Sequence, residues 1–304
     1  MSDFLIETEN LTFSYGSQPI LHGISLRVKP GAVYGFIGQN GAGKTTTIKV
    51  LLSLLPDFGG QVCLFGNSIR RRRLGILART GALVEEPALY QHLTGQENLL
   101  NRALLLRLPR QRTQDILRQV GLYEARHKKV VAYSQGMRQR LGIGLALLGA
   151  PDLLILDEPT NGLDPNGIRE IRELLTGLSR QGVTVFLSSH LLSEVEKIVT
   201  DLGIIHQGSL LFQGPIESLR DSAREELCLD TNDNRRCFDL LQADYPQVGW
   251  KNGLPSLGGV SREEAARLNA RLVGQGLAVY ALEWARKDLE QLYFDIIQTP
   301  PPTP

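Results

Sequence analysis

The run Gly38-Gln39-Asn40-Gly41-Ala42-Gly43-Lys44-Thr45 fits the spacing G-x-x-x-x-G-K-[ST]. Glycines there let backbone N–H groups point into one concavity, and the helix that follows adds partial positive charge at its amino end. Lys44 can reach the outer phosphates of a nucleotide and the Thr45 hydroxyl can bind Mg²⁺. The adjacent pair Asp157-Glu158 supplies what the same chemistry needs next: a carboxylate beside the metal, read as Asp157, and a general base for the attacking water, read as Glu158. His190 is positioned by the sequence to contact the terminal phosphate. Ser134-Gln135-Gly136 opens a helix and makes a second potential anion site. One nucleotide already has its phosphates held at residues 38–45. The second helix end therefore points to a nucleotide on another subunit, against the plainer reading of a helix cap.

These residues need elements that bring them together. Ala32–Ile37, Leu153–Leu156 and Val183–Leu187 are short and nearly all apolar, as strands covered on both faces are, and each ends where the chemistry begins. In an open parallel sheet, ligands collect beyond the carboxyl ends of the strands. Helical periodicity follows Thr45 through Leu55. Leu5–Tyr15 and Ile20–Val28 alternate apolar and polar residues like half-exposed antiparallel strands. From Glu86 to Ala150 the pattern is helical, with Thr94 and Glu97 as a capping box for a helix through Leu106 and Ser134 before a helical run from Met137 to Leu148.

The expected organisation is an α/β body over residues 1–222, with a mainly parallel sheet, an antiparallel β subdomain and a helical lobe inserted at about 86–150. A small α/β domain over 223–298 follows, carrying a strand at Leu227–Leu229, a helix near Arg235–Gln242, a helix opened by Ser261 with Glu264, and a strand at Leu277–Leu282. Residues 299–304, rich in proline, read as a disordered tail.

Composition removes whole classes of function. With 33 Lys+Arg against 32 Asp+Glu among 304 residues, the net charge of +1 argues against a nucleic-acid binder that works through bulk positive potential. Cys63, Cys228 and Cys237 are odd in number and scattered, which excludes a disulfide framework and points to a reducing compartment. The amino end carries acid where a secretory signal needs base, and no apolar stretch approaches the ~20 residues of a membrane span. Arg70–Arg73 and Arg126–Lys129 read as solvated loops.

Taken together, residues 3–220 resemble the ATP-binding subunit of an ATP-binding-cassette (ABC) transporter. Gly38–Thr45 is similar to the Walker A loop, with Thr46 beside it, and Leu153–Asp157 to the Walker B strand with Glu158 as catalytic glutamate. Tyr133-Ser134-Gln135-Gly136-Met137 resembles the family signature, although only Ser134 and Gly136 of its usual core are kept. Asn161-Gly162-Leu163-Asp164 resembles the D-loop, His190 the switch histidine, and Tyr15 the aromatic residue that stacks on adenine. Glu85 aligns with the Q-loop glutamine. Glutamate there resembles the variant in exporters that protect bacteria from bacitracin and lantibiotic peptides, a subfamily that also has a small C-terminal region.

The resemblance implies a P-loop NTPase fold that hydrolyses ATP with Mg²⁺ held at Thr45, Asp157 and Glu85. It implies a head-to-tail dimer with ATP between the 38–45 loop of one copy and the 134–136 segment of the other, with Asp164 near the nucleotide. The partners implied are a second copy of the chain and a separate transmembrane permease, and the location is the inner face of the cell membrane. Three rival readings stand beside it: a soluble ABC ATPase acting on ribosomes or DNA, a module that only senses nucleotide, and a transporter of some other substrate. The single phosphate loop and the lack of sustained heptads weigh against the first, and Glu158 against the second.

Overall fold

The computed structural model describes residues 3–222, 225–285 and 289–298. The chain divides into two compact units, one formed mainly by Met1–Ile216 and the other by Glu217–Asp295. The expected tail at 299–304 lies outside the described residues.

The first unit is organised by a six-stranded sheet in the order Ser209–Pro215, Asp201–His206, Val33–Ile37, Thr184–Ser189, Leu153–Leu156, Thr80–Leu83. All neighbours are parallel except the hairpin between Asp201–His206 and Ser209–Pro215. Every residue of Val33–Ile37, Leu153–Leu156 and Thr184–Ser189 is buried, which is why these strands are mostly apolar, with hydroxyl groups at Thr184, Ser188 and Ser189 of the third. A second, antiparallel sheet pairs Ile6–Tyr15 with Gln18–Ile24, Arg27–Val28 and Gly59–Leu64. One core joins the two sheets through Leu11, Leu21, Phe36, Ile48 and Phe186. Tyr34 and Phe186 stack with ring centroids 5.5 Å apart. Each such buried aromatic contributes about 1.5–3 kcal/mol of apolar burial.

The helical segment is as the caps require. Gly95–Leu105 begins on the reciprocal Thr94/Glu97 capping box, and Gln135–Leu147 begins on Ser134, whose hydroxyl accepts from Met137 N at 3.3 Å. Between them lies Arg110–Gln119. Pro165–Arg180 covers the sheet, with Ile171, Leu175 and Leu178 buried at helical spacing.

The Arg70–Arg73 run departs from expectation. It is not a loop but part of the helix Ile69–Leu77, kinked at Arg72. Ile69 and Ile76 bury one side of it, and the Arg70 guanidinium lies over the Phe58 ring and donates to the Phe58 carbonyl. Two apolar anchors seven residues apart outweigh the charge repulsion of the run.

In the second unit the order strand, helix, strand, strand, helix, strand gives an antiparallel sheet arranged Gly249–Lys251, Leu254–Gly258, Glu226–Thr231, Val279–Ala285. Helices Asn234–Gln242 and Arg262–Gly274 bury Cys237, Leu241, Leu268 and Leu272 against Leu227, Leu229 and Leu257, a split β-α-β arrangement. The Ser261/Glu264 capping box is present. The last strand starts at Val279 rather than Leu277, because Leu277 is drawn into the core. The hairpin Gly249–Gly258 goes unread from periodicity, although Asn252-Gly253, both at positive φ, is a strong two-residue turn signal. The helix Leu289–Gln298 also goes unread.

Candidate functional site

The loop between Val33–Ile37 and the helix Lys44–Leu51 is shaped by its glycines. Gly43 has φ 105°, and a Cβ on Gly38 would sit 2.4 Å from the Ile205 carbonyl oxygen, so neither position accepts a side chain without movement. The loop curls over its own lysine. Lys44 Nζ donates to Gly38 O at 2.7 Å and Gln39 O at 3.2 Å, while Gln39, Asn40 and Gly41 stay exposed at the rim and Ala42 is buried beneath. A concavity at a helix amino end with a cation folded into it suits an anion.

Parallel pairing of Ile37 with Ser189 and of Leu156 with Leu187 carries three strand ends to one edge. There the Thr45 hydroxyl donates to Asp157 Oδ2 at 2.8 Å, across 112 residues of chain. Asp157 Oδ1 accepts from the Ser188 hydroxyl at 2.6 Å, and that hydroxyl accepts in turn from Glu158 N at 2.9 Å. Glu158 sits at φ 47°, a left-handed conformation unusual outside glycine and the kind of local strain found at functional sites. Its Oε2 lies 2.7 Å from His190 Nδ1 and accepts from His190 N at 3.3 Å. Its Oε1 is buried and lies 3.1 Å from Lys44 Nζ, close enough for an ion pair but too poorly aligned for a hydrogen bond.

The structure therefore brings Lys44, Thr45, Asp157, Glu158 and His190 into one cluster. Thr46 follows Thr45 in the helix. His190 meets Glu158 rather than standing alone at the strand end. Tyr15 closes the strand Ile6–Tyr15 half exposed, edge-on to Phe13 with centroids 4.9 Å apart.

Glu85, just past the strand Thr80–Leu83, is at φ 59° and pairs with Lys49 at 2.8 Å. The hydrogen bond from Lys49 holds the Glu85 carboxyl below the usual carboxylate range and raises the Lys49 ammonium. Gln135 donates to the Asn161 carbonyl at 3.2 Å, linking the 134–136 segment to the 161–164 loop. Asp164 caps Pro165–Arg180 by accepting from Gly167 N at 2.9 Å. Lys49 and Ser188 go unassigned by sequence reasoning. The signal for Ser188 is a hydroxyl at a covered position near the end of an otherwise apolar strand.

Thr45 and Asp157 offer a hydroxyl and a carboxylate oxygen 2.8 Å apart, hard donors of the kind Mg²⁺ takes. Among the described residues no cluster of three or more His, Cys, Asp or Glu forms a metal site. The donor set thus suits a metal that completes its shell with phosphate oxygens and water, and the residues fit Mg²⁺.

Residues 21–161 match the ABC transporter family. The chain is 40% identical to the bacitracin transport ATP-binding protein BcrA of Bacillus licheniformis over 302 residues, covering 96% of this chain and 97% of that one. It is 39% identical to the lantibiotic transport ATP-binding protein SrtF of Streptococcus pyogenes, across 69% of this chain and 90% of that one. Among solved structures, an ATP-binding subunit of an ABC transporter superposes with a TM-score of 0.64 at 30% identity, over 72% of this chain and 92% of the other. Among the described residues no helix is long and apolar enough to cross a membrane.

Proposed function

This chain belongs to the ABC transporter family as an ATP-binding, ATP-hydrolysing subunit, and from that premise we propose that it powers export of peptide antibiotics or related amphiphiles by a separate membrane permease. Its likeness to ATP-binding proteins named for bacitracin and lantibiotic transport supports the substrate class, as does Glu85 at the Q-loop position. The permease places the chain on the cytoplasmic face of the membrane. Two copies pair head to tail, so that Ser134–Gly136 and Asp164 of one approach the nucleotide on the other.

The single observation that carries the catalytic reading is the convergence of Lys44, Thr45, Asp157 and Glu158. Triphosphate enters the 38–45 loop at the amino end of the helix Lys44–Leu51, and Tyr15 packs against the base. Lys44 exchanges the Gly38 and Gln39 carbonyls and the Glu158 carboxylate for phosphate oxygens. Thr45 and Asp157 would hold Mg²⁺, and Glu85, paired with Lys49 in this structure, would join them only once Lys49 releases it. The metal, when bound, neutralises phosphate charge. Glu158, relieved of Lys44, takes the proton of the attacking water, and His190 holds the carboxylate in line. ADP and phosphate leave as the dimer opens.

Deletion of the gene in its native host tests the transport reading. Increased sensitivity to a cell-envelope peptide antibiotic is expected. Unchanged sensitivity across a panel of such peptides, together with altered uptake of a nutrient, overturns it.

A further inference from the structure

Ser188 is fully buried, and the reaction described above does not use it. We propose that Ser188 is a positioning residue that aims the Asp157 carboxylate at the metal and fixes the backbone of Glu158. The proposal rests on the roles given to Asp157 and Glu158 above.

A hydroxyl has one proton to give and lone pairs to receive. Asp157 Oδ1, 2.6 Å away, can only accept from it, so the proton is committed there, and the Glu158 N–H at 2.9 Å occupies a lone pair. The proton and one of the two lone pairs are thereby assigned. The division of labour in Asp157 follows: Oδ1 is held by Ser188, which leaves Oδ2 turned to Thr45 at 2.8 Å. The same hydroxyl pins the amide of a residue held at φ 47°, so one side chain sets both the metal ligand and the base. The neighbouring Ser189 cannot substitute. Alternation along the strand turns it the other way, and its oxygen accepts from Leu191 N at 2.9 Å. Groups that orient a metal ligand in this manner are worth about 10–100-fold in metal affinity.

Calorimetric titration of the full chain with a non-hydrolysable ATP analogue, with Mg²⁺ and then with EDTA, reads the metal's contribution to binding without turnover. Ser188→Ala is expected to shrink the affinity gap between the two conditions by about 10-fold or more, while metal-free ATP binding, set by the 38–45 loop, stays near wild type. Ser188→Thr restores the hydroxyl and should restore the gap. A gap of wild-type size in Ser188→Ala overturns the proposal. So does an equal loss of metal-free binding, the signature of a merely structural hydroxyl. If Ser188→Ala does not fold, Ser188→Cys, similar in size but a weak donor, is judged by the same criteria. A wild-type chain that binds ATP equally with and without Mg²⁺ shows instead that the reading of Asp157 fails, and the proposal falls with it.

Discussion

Lys44 Nζ lies 3.1 Å from Glu158 Oε1, so the cation of the phosphate loop and the carboxylate read as the general base neutralise each other. Both side chains are largely buried, 5% and 20% exposed. On the proposed reading, phosphate oxygens compete for that same lysine, which ties arrival of the nucleotide to release of Glu158.

Glu158→Gln keeps the shape of the side chain but cannot take a proton. ATP binding should persist while phosphate release falls about 10²–10⁴-fold, and the variant should accumulate as an ATP-loaded dimer on gel filtration. Near-normal phosphate release would remove Glu158 from its role.

Lys49 and Glu85 form a charged pair beside the site at 2.8 Å. If Lys49 holds Glu85 back from the metal, Lys49→Gln should strengthen MgATP binding and Glu85→Gln should weaken it, with the double variant matching Glu85→Gln alone because Lys49 then has no carboxylate to restrain. Additive effects in equilibrium titrations would show that the two act separately.

Tyr15 presents a half-exposed ring at the end of its strand. Tyr15→Ala should weaken ATP binding by about 0.5–1.5 kcal/mol, the range for a ring-on-ring contact, and Tyr15→Phe should leave it unchanged. Equal affinity in Tyr15→Ala means the base lies elsewhere.

The Glu97 carboxyl is held low by the backbone N–H of Thr94, followed by the Thr94 side chain. Its folded value lies below its unfolded one, so its contribution to stability is present above the unfolded value and lost as pH falls through the folded one. Melting curves of the wild type and Glu97→Gln should differ at neutral pH and converge in acid. A difference independent of pH would mean that the charge of Glu97 does not support the cap.

Much of this protein is readable one short segment at a time. The three buried strands announce themselves as nearly all-apolar runs because both their faces are covered. The 38–45 octet and the caps at Thr94, Ser134 and Ser261 depend on backbone preferences and hydrogen bonds that close within a few residues. Asn252-Gly253 was legible in the same way, and alternation over so short a hairpin hid it. The Arg70–Arg73 run misleads for a different reason: its conformation is decided by Ile69, Ile76 and Phe58 in the core rather than by its own charges.

The residue types of the site came from the sequence, and their partnerships did not. Thr45 meets Asp157 across 112 positions, Ser188 meets Asp157 across 31, and Lys49 meets Glu85 across 36. No local propensity spans such distances. They close only when the order and register of parallel strands set Val33–Ile37 beside Thr184–Ser189 and that strand beside Leu153–Leu156. Local backbone energetics determined which groups stand at the ends of which elements. Packing of the sheet decided which of them touch, and therefore that Lys44 rests on Glu158 and that a serine with no motif of its own donates to the Asp157 carboxylate.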